Sequence, residues 1–225
     1  MSVILRMDML MCMFIVLSLY TFYKMFKGIG SYRANAVLFP VFIFLALFTK
    51  GPVGLLMPLV SVFCFLLFMG RLREAGRYLG WRTWLILLVL AAGWLLGVWL
   101  EGGRDYIENL LFHQTFDRAV DAQYHKEPFW FYLPALLYTM APFSLALILY
   151  FVKSFIPKGF VTDFEKLLRT AILFTVIMLS CFSSKLSIYL APLFPLAVYL
   201  FVLVGKRERW STGLAASLWI PAVLL

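Results

Sequence analysis

The sequence predicts an all-α fold, a polytopic bundle of about eight transmembrane helices in a single domain spanning residues 1–225. Three observations predict it. The chain is 64% hydrophobic and only 14% charged, with a mean hydropathy of +0.93. A soluble domain of this size could not hide so much apolar surface. The apolar residues come in runs close to the ~20 residues that a helix needs to cross hydrocarbon. Lysine and arginine gather in short segments at alternate ends of those runs, as the positive-inside rule expects.

The first run is Met9 to Tyr23. The second, Ala34 to Phe48, stops at Thr49-Lys50-Gly51-Pro52, where proline ends the helical hydrogen bonding and glycine permits a tight reversal. The third is Val53 to Met69 and the fourth Trp84 to Leu100. A polar stretch, Glu101 to Glu127, follows. Within it, Tyr106, Ile107, Leu110 and Leu111 alternate with Asp105, Glu108, Asn109, His113 and Asp117. That pattern predicts an amphipathic outer-face helix near 103–118. The fifth run, Pro128 to Val152, opens on the aromatic belt Phe129-Trp130-Phe131-Tyr132. The sixth is Leu168 to Phe182, the seventh Leu186 to Val204, and an eighth starts near Trp210.

The charge count orients these runs. The segments Lys24–Arg33, Arg71–Arg82, Lys153–Arg169 and Lys206–Arg209 hold 14 of the 20 basic residues. The opposite ends hold Arg6, Lys50, Arg104, Arg118, Lys126 and Lys185, with seven of the 11 acids. The first set is therefore expected in the cytoplasm and the second outside. Spread over short loops in this way, the net charge of +9 is no sign of nucleic-acid binding. Cys12, Cys64 and Cys181 lack metal-ligand spacing and read as small core residues. The start of the chain has no small-residue cleavage site, so it does not read as a cleavable signal peptide. It opens on Arg6-Met7-Asp8 at the outer end of a helix and closes inside an apolar run. It therefore reads as part of a longer protein, lacking N-terminal helices and cut short at the C-terminus.

The groups able to do chemistry fall at the outer ends. Lys50 fits either a snorkelling interfacial lysine or an anion site, formed with backbone N–H groups at the start of the next helix. Lys185 follows Ser183-Ser184, and Tyr189 lies four residues on, which on a helix is the same face. Two such lysines on one face make a stronger anion site than either alone, although both also fit as interface anchors. His113 and His125 are 12 residues apart and make no metal motif by themselves. Asp8 fits an acid beside the positive end of a helix dipole or a binding group; Arg6 and Asp8 would not share a helical face.

Four strings resemble the ArnT-like and protein-O-mannosyltransferase-like membrane glycosyltransferases of the GT-C fold. They are Arg-Met-Asp-Met (6–9), Leu-Phe-Thr-Lys-Gly-Pro-Val-Gly-Leu-Leu (47–56), His-Lys-Glu-Pro-Phe-Trp-Phe-Tyr-Leu-Pro (125–134) and Ser-Ser-Lys-Leu-Ser-Ile-Tyr-Leu-Ala-Pro-Leu-Phe-Pro (183–195). The resemblance implies transfer of a hexose or pentose from a polyprenyl-phosphate donor to a lipid A, glycan or protein acceptor. It places the reaction on the periplasmic face of a bacterial inner membrane. It implies that Lys50 and Lys185 hold the donor phosphate and that Asp8 is an acidic residue of the catalytic cavity. Arg6, His125, Lys126 and Tyr189 would line that cavity, with a divalent metal ion at His125 and no nucleotide cofactor. The family carries its principal acids in a first outer loop that would precede this sequence, so the chain alone is expected to be inactive. The competing reading is a non-enzymatic lipid-binding or transport subunit. A transporter would place ionisable groups near the midplane or in repeated halves. Here no repeat is visible and the lysines sit at helix ends.

Overall fold

A computed structural model of the chain describes residues 7–108, 127–141, 143–156, 161–182 and 185–207. Every regular element among them is helical. α1 (Asp8–Lys27), α2 (Tyr32–Lys50) and α3 (Pro52–Phe68) form an up–down–up group. Short turns, Leu72–Glu74 and α4 (Ala75–Tyr78), lead to α5 (Trp81–Glu108). After Phe129–Phe131 come α6 (Tyr132–Thr139), α7 (Ser144–Lys153) and α8 (Asp163–Cys181). A 3₁₀ turn, Ser187–Leu190, precedes α9 (Leu193–Arg207). Among the described residues, four segments are long and apolar enough to cross a membrane: Asp8–Lys27, Tyr32–Lys50, Leu72–Gly102 and Ser187–Arg207. α3 is a shorter apolar helix of 17 residues.

The predicted runs become helices, with three differences. The fifth run is not one straight helix: α6 and α7 are bent by 119° to one another across Met140–Phe143. The sequence carries Pro142 here, a residue type that lacks a backbone donor and interrupts helices. Residues 103–108 do not begin a separate amphipathic helix but continue α5. The rest of that stretch and the eighth run lie outside the described residues. The cysteines are also not uniformly core: Cys64 is buried, Cys12 half-buried and Cys181 exposed.

The core sits between α1, α2, α3 and the turn before α5. Phe22 meets Phe65 and Tyr78 edge-on, with ring centroids 5.9 and 5.2 Å apart, and Phe26 meets Phe65 at 5.1 Å. Such pairs add about 0.5–1.5 kcal/mol beyond area burial, and their geometry holds three helices in register. α8 packs on α3 and α9, and α9 on α7. α5 leans on α2 through Phe48 and Trp94, while Leu88, Trp99 and Leu100 face outward. That is the surface expected of a helix in contact with lipid.

Among the described residues, three ion pairs between helix ends join ends that the charge count puts on the same side. Lys27 pairs with Asp163, Arg207 with Glu165, and Arg169 donates to the Ser154 carbonyl at 2.8 Å. The Lys27 hydrogen bond pulls the Asp163 carboxyl below its ordinary value. Glu165 and Arg207 are the deepest of these pairs, both largely shielded from solvent. At the other end the α2–α3 reversal is set by Gly51, whose φ of +81° suits glycine. Gly54 then lies so close to α2 that a Cβ would stand 2.2 Å from the Ala46 carbonyl oxygen.

Three outcomes follow for stability. Gly54→Ala should lower it by about 1–3 kcal/mol because backbone must move, read as a fall in thermal midpoint in detergent. Gly93→Ala, with open space around the new methyl, should not lower it. Glu165→Ala removes the carboxylate from a buried ion pair and should cost about 3–5 kcal/mol, measured in the same way.

Candidate functional site

Three separate segments bring their polar groups to one end of the bundle. Asp8 opens α1, where the free N–H groups of the first turn favour a carboxylate. It is only 7% exposed. Lys50 closes α2, where a cation suits the negative end of the helix dipole. The hairpin lays α2 against α1 so that the Lys50 ammonium pairs with the Asp8 carboxylate. The ammonium also lies over the Tyr189 ring, 4.9 Å from its centroid. A cation held between a carboxylate and an aromatic face is well fixed in direction. Cys12, one turn into α1, points its sulfur at the Ala191 carbonyl 3.8 Å away, a weak contact that joins α1 to the 187–191 turn.

Lys185 lies in the same segment as Tyr189 and is 5% exposed. Its ammonium donates to the Phe182 carbonyl at 2.7 Å and the Glu127 carbonyl at 3.0 Å. It has no carboxylate partner among the described residues. Among the described residues this ammonium is held by neutral carbonyl dipoles, a setting in which an incoming anion is favoured. Tyr132 is buried nearby, its hydroxyl beside the Leu186 backbone without a well-aligned hydrogen bond among the described residues. The net charge of Asp8, Lys50 and Lys185 together is positive, which suits an anionic group better than a cation.

Several expectations need adjustment. Tyr189 does not share an α-helical face with Lys185, because Leu186 is extended and Ser187–Leu190 is a 3₁₀ turn. Tyr189 instead serves Lys50. The start of α3 is a poor anion cradle: Pro52 has no N–H, the Gly51 amide is spent on Leu47 at 2.7 Å and the Gly54 amide on Gly51 at 3.0 Å. Arg6, His113, His125 and Lys126 lie outside the described residues, as do Ser183 and Ser184. Among the described residues no three of His, Cys, Asp and Glu gather as a metal site. The sequence reading missed the Asp8–Lys50 pair, the Glu127 carbonyl and the Tyr132 hydroxyl. The pair was within reach: both residues fall at the same end of adjacent antiparallel helices.

No family model and no solved structure matches the chain. Two curated proteins do, each named undecaprenyl phosphate-alpha-4-amino-4-deoxy-L-arabinose arabinosyl transferase. The Shewanella sediminis protein is 33% identical over 178 residues, 75% of this chain and 31% of its own length. The Aeromonas hydrophila protein is 30% identical over 130 residues, 56% of this chain and 23% of its own length. The chain thus spans less than a third of the length of the curated relatives it matches. Over that part, the chain is similar to these two arabinosyl transferases.

Proposed function

We propose that this chain supplies the donor-phosphate side of a membrane glycosyltransferase. The enzyme would move a pentose of the 4-amino-4-deoxy-arabinose class from undecaprenyl phosphate to a lipid, glycan or protein acceptor on the outer face of the membrane. The observation that carries the reading is Lys185, a buried ammonium with no carboxylate partner among the described residues, at the same end as the Lys50–Asp8 pair. The names of the two relatives support the donor class.

In the proposed reaction the acceptor oxygen attacks the anomeric carbon. The bond from that carbon to the phosphate oxygen breaks, and both its electrons leave on polyprenyl phosphate. Negative charge grows on the phosphate as the bond lengthens. Lys185 and Lys50 would meet it in a site shielded from water, where a fixed positive group is worth far more than in bulk. Lys50 would exchange its Asp8 carboxylate for the phosphate. Asp8, released from that pair, would take the proton from an acceptor hydroxyl. Tyr189 would keep the Lys50 ammonium aimed during the exchange. Arg6, His125 and Lys126 would line the rest of the cavity, with His125 available to a divalent metal.

The test is a graft of this chain in place of the matching segment of the Shewanella sediminis relative. Transfer of labelled sugar from polyprenyl phosphate is then measured in membranes. Lys185→Ala and Lys50→Ala should each lower transfer by about 10²–10³-fold at unchanged protein level. Arg33→Ala, at the opposite end, should leave it unchanged. Full transfer with either lysine replaced would reduce both residues to interface anchors.

A further inference from the structure

At the end of the bundle opposite the lysine site, a cavity of about 360 Å³ opens between α2, the 76–80 turn and the start of α5. Its walls include Tyr32, Gly76, Arg77, Trp81 and Arg82. Gly76 leaves room there, since a Cβ at that position would meet nothing within 4 Å. The Arg77 guanidinium lies 4.7 Å from the Tyr32 ring centroid, and the Tyr32 hydroxyl donates to the Arg77 carbonyl at 3.1 Å. Arg82 sits against Trp81 at 5.8 Å. Neither arginine makes an ion pair among the described residues. Arg71, in the same linker, is by contrast already matched with Glu74 at 2.6 Å.

The cavity is continuous with an apolar surface. Trp81 and Trp84 are exposed at the first turn of α5, and Leu85, Leu88 and Val89 run on from them, also exposed. Tryptophans at this position mark a water–hydrocarbon boundary. Two guanidinium groups that make no ion pair among the described residues, one resting on the Tyr32 and Tyr78 rings and one against Trp81, with an apolar flank below them, fit a ligand with an anionic head and hydrocarbon tails. A soluble phosphate would use only the upper half. We propose that this cavity is a binding site for the headgroup of an anionic phospholipid. Arg77 and Arg82 would hold its phosphate as forked donors, and its acyl chains would lie along α5. This site is separate from the proposed donor site and does not depend on it.

The test uses the full chain in nanodiscs and measures lipid binding by native mass spectrometry. The probes are phosphatidylglycerol, phosphatidylcholine and inorganic phosphate. Phosphatidylglycerol should bind more tightly than phosphatidylcholine, and Arg77→Ala with Arg82→Ala should cut its affinity on the order of tenfold. Arg82→Ala alone, whose contact here is with its exposed neighbour Trp81, keeps the test valid if the double variant misfolds; it should give a partial loss. Arg73→Ala, an exposed cation of the same linker outside the cavity, should change nothing. Equal binding of the two lipids would overturn the proposal. So would an equal loss with Arg73→Ala, or full displacement of the lipid by millimolar phosphate.

Discussion

A charge inside hydrocarbon must reach an end of its helix or find a partner, and the whole bundle is arranged around that constraint. Leaving a lysine or arginine at mid-membrane costs roughly 2.5–3.5 kcal/mol even on the mildest scales. The chain keeps its charged residues at helix ends and in linkers, and helices are then paired so that these ends meet. Asp8 with Lys50 ties α1 to α2 at one end. Lys27 with Asp163 and Glu165 with Arg207 tie α1, α8 and α9 at the other. Between the two ends the helices are held by apolar packing, above all the ring cluster of Phe22, Phe26, Phe65 and Tyr78.

The two ends differ in kind. At the Lys27 end the buried charges are matched, and the pairs act as clamps between helices. At the Asp8 end one lysine is matched and one is held only by carbonyl oxygens among the described residues. That imbalance is what a site for an anion requires: a positive charge already desolvated and already aimed. It also has a cost, since a buried ammonium without a counter-ion works against folding. The close approach of Gly54 to Ala46 fixes how α2 and α3 meet beside Lys50.

The helices were legible in the sequence because lipid leaves so few choices. Apolar runs have to become helices when no water can satisfy the backbone. The reversal at Gly51-Pro52 was legible for a local reason, the torsions that those two residues allow. What lay out of reach was set by tertiary geometry. Lys185 and Tyr189 are four apart and look like helical neighbours, yet the chain is extended at Leu186 and tightens to 3₁₀ beyond it. The fifth run is apolar throughout, so composition alone did not reveal the bend between α6 and α7; only Pro142 hinted at it. Glu127 acts at the site through its backbone carbonyl, a contribution that no side-chain pattern reports.

The most direct measurement is photo-crosslinking of the chain in membranes with a polyprenyl phosphate that carries a photoreactive group beside the phosphate, mapped by mass spectrometry. The account predicts labels concentrated at Leu47–Val53 and Lys185–Leu190, competed away by unlabelled polyprenyl phosphate. Labels spread along the outward face of α5, or gathered at the Arg77 end, would contradict it.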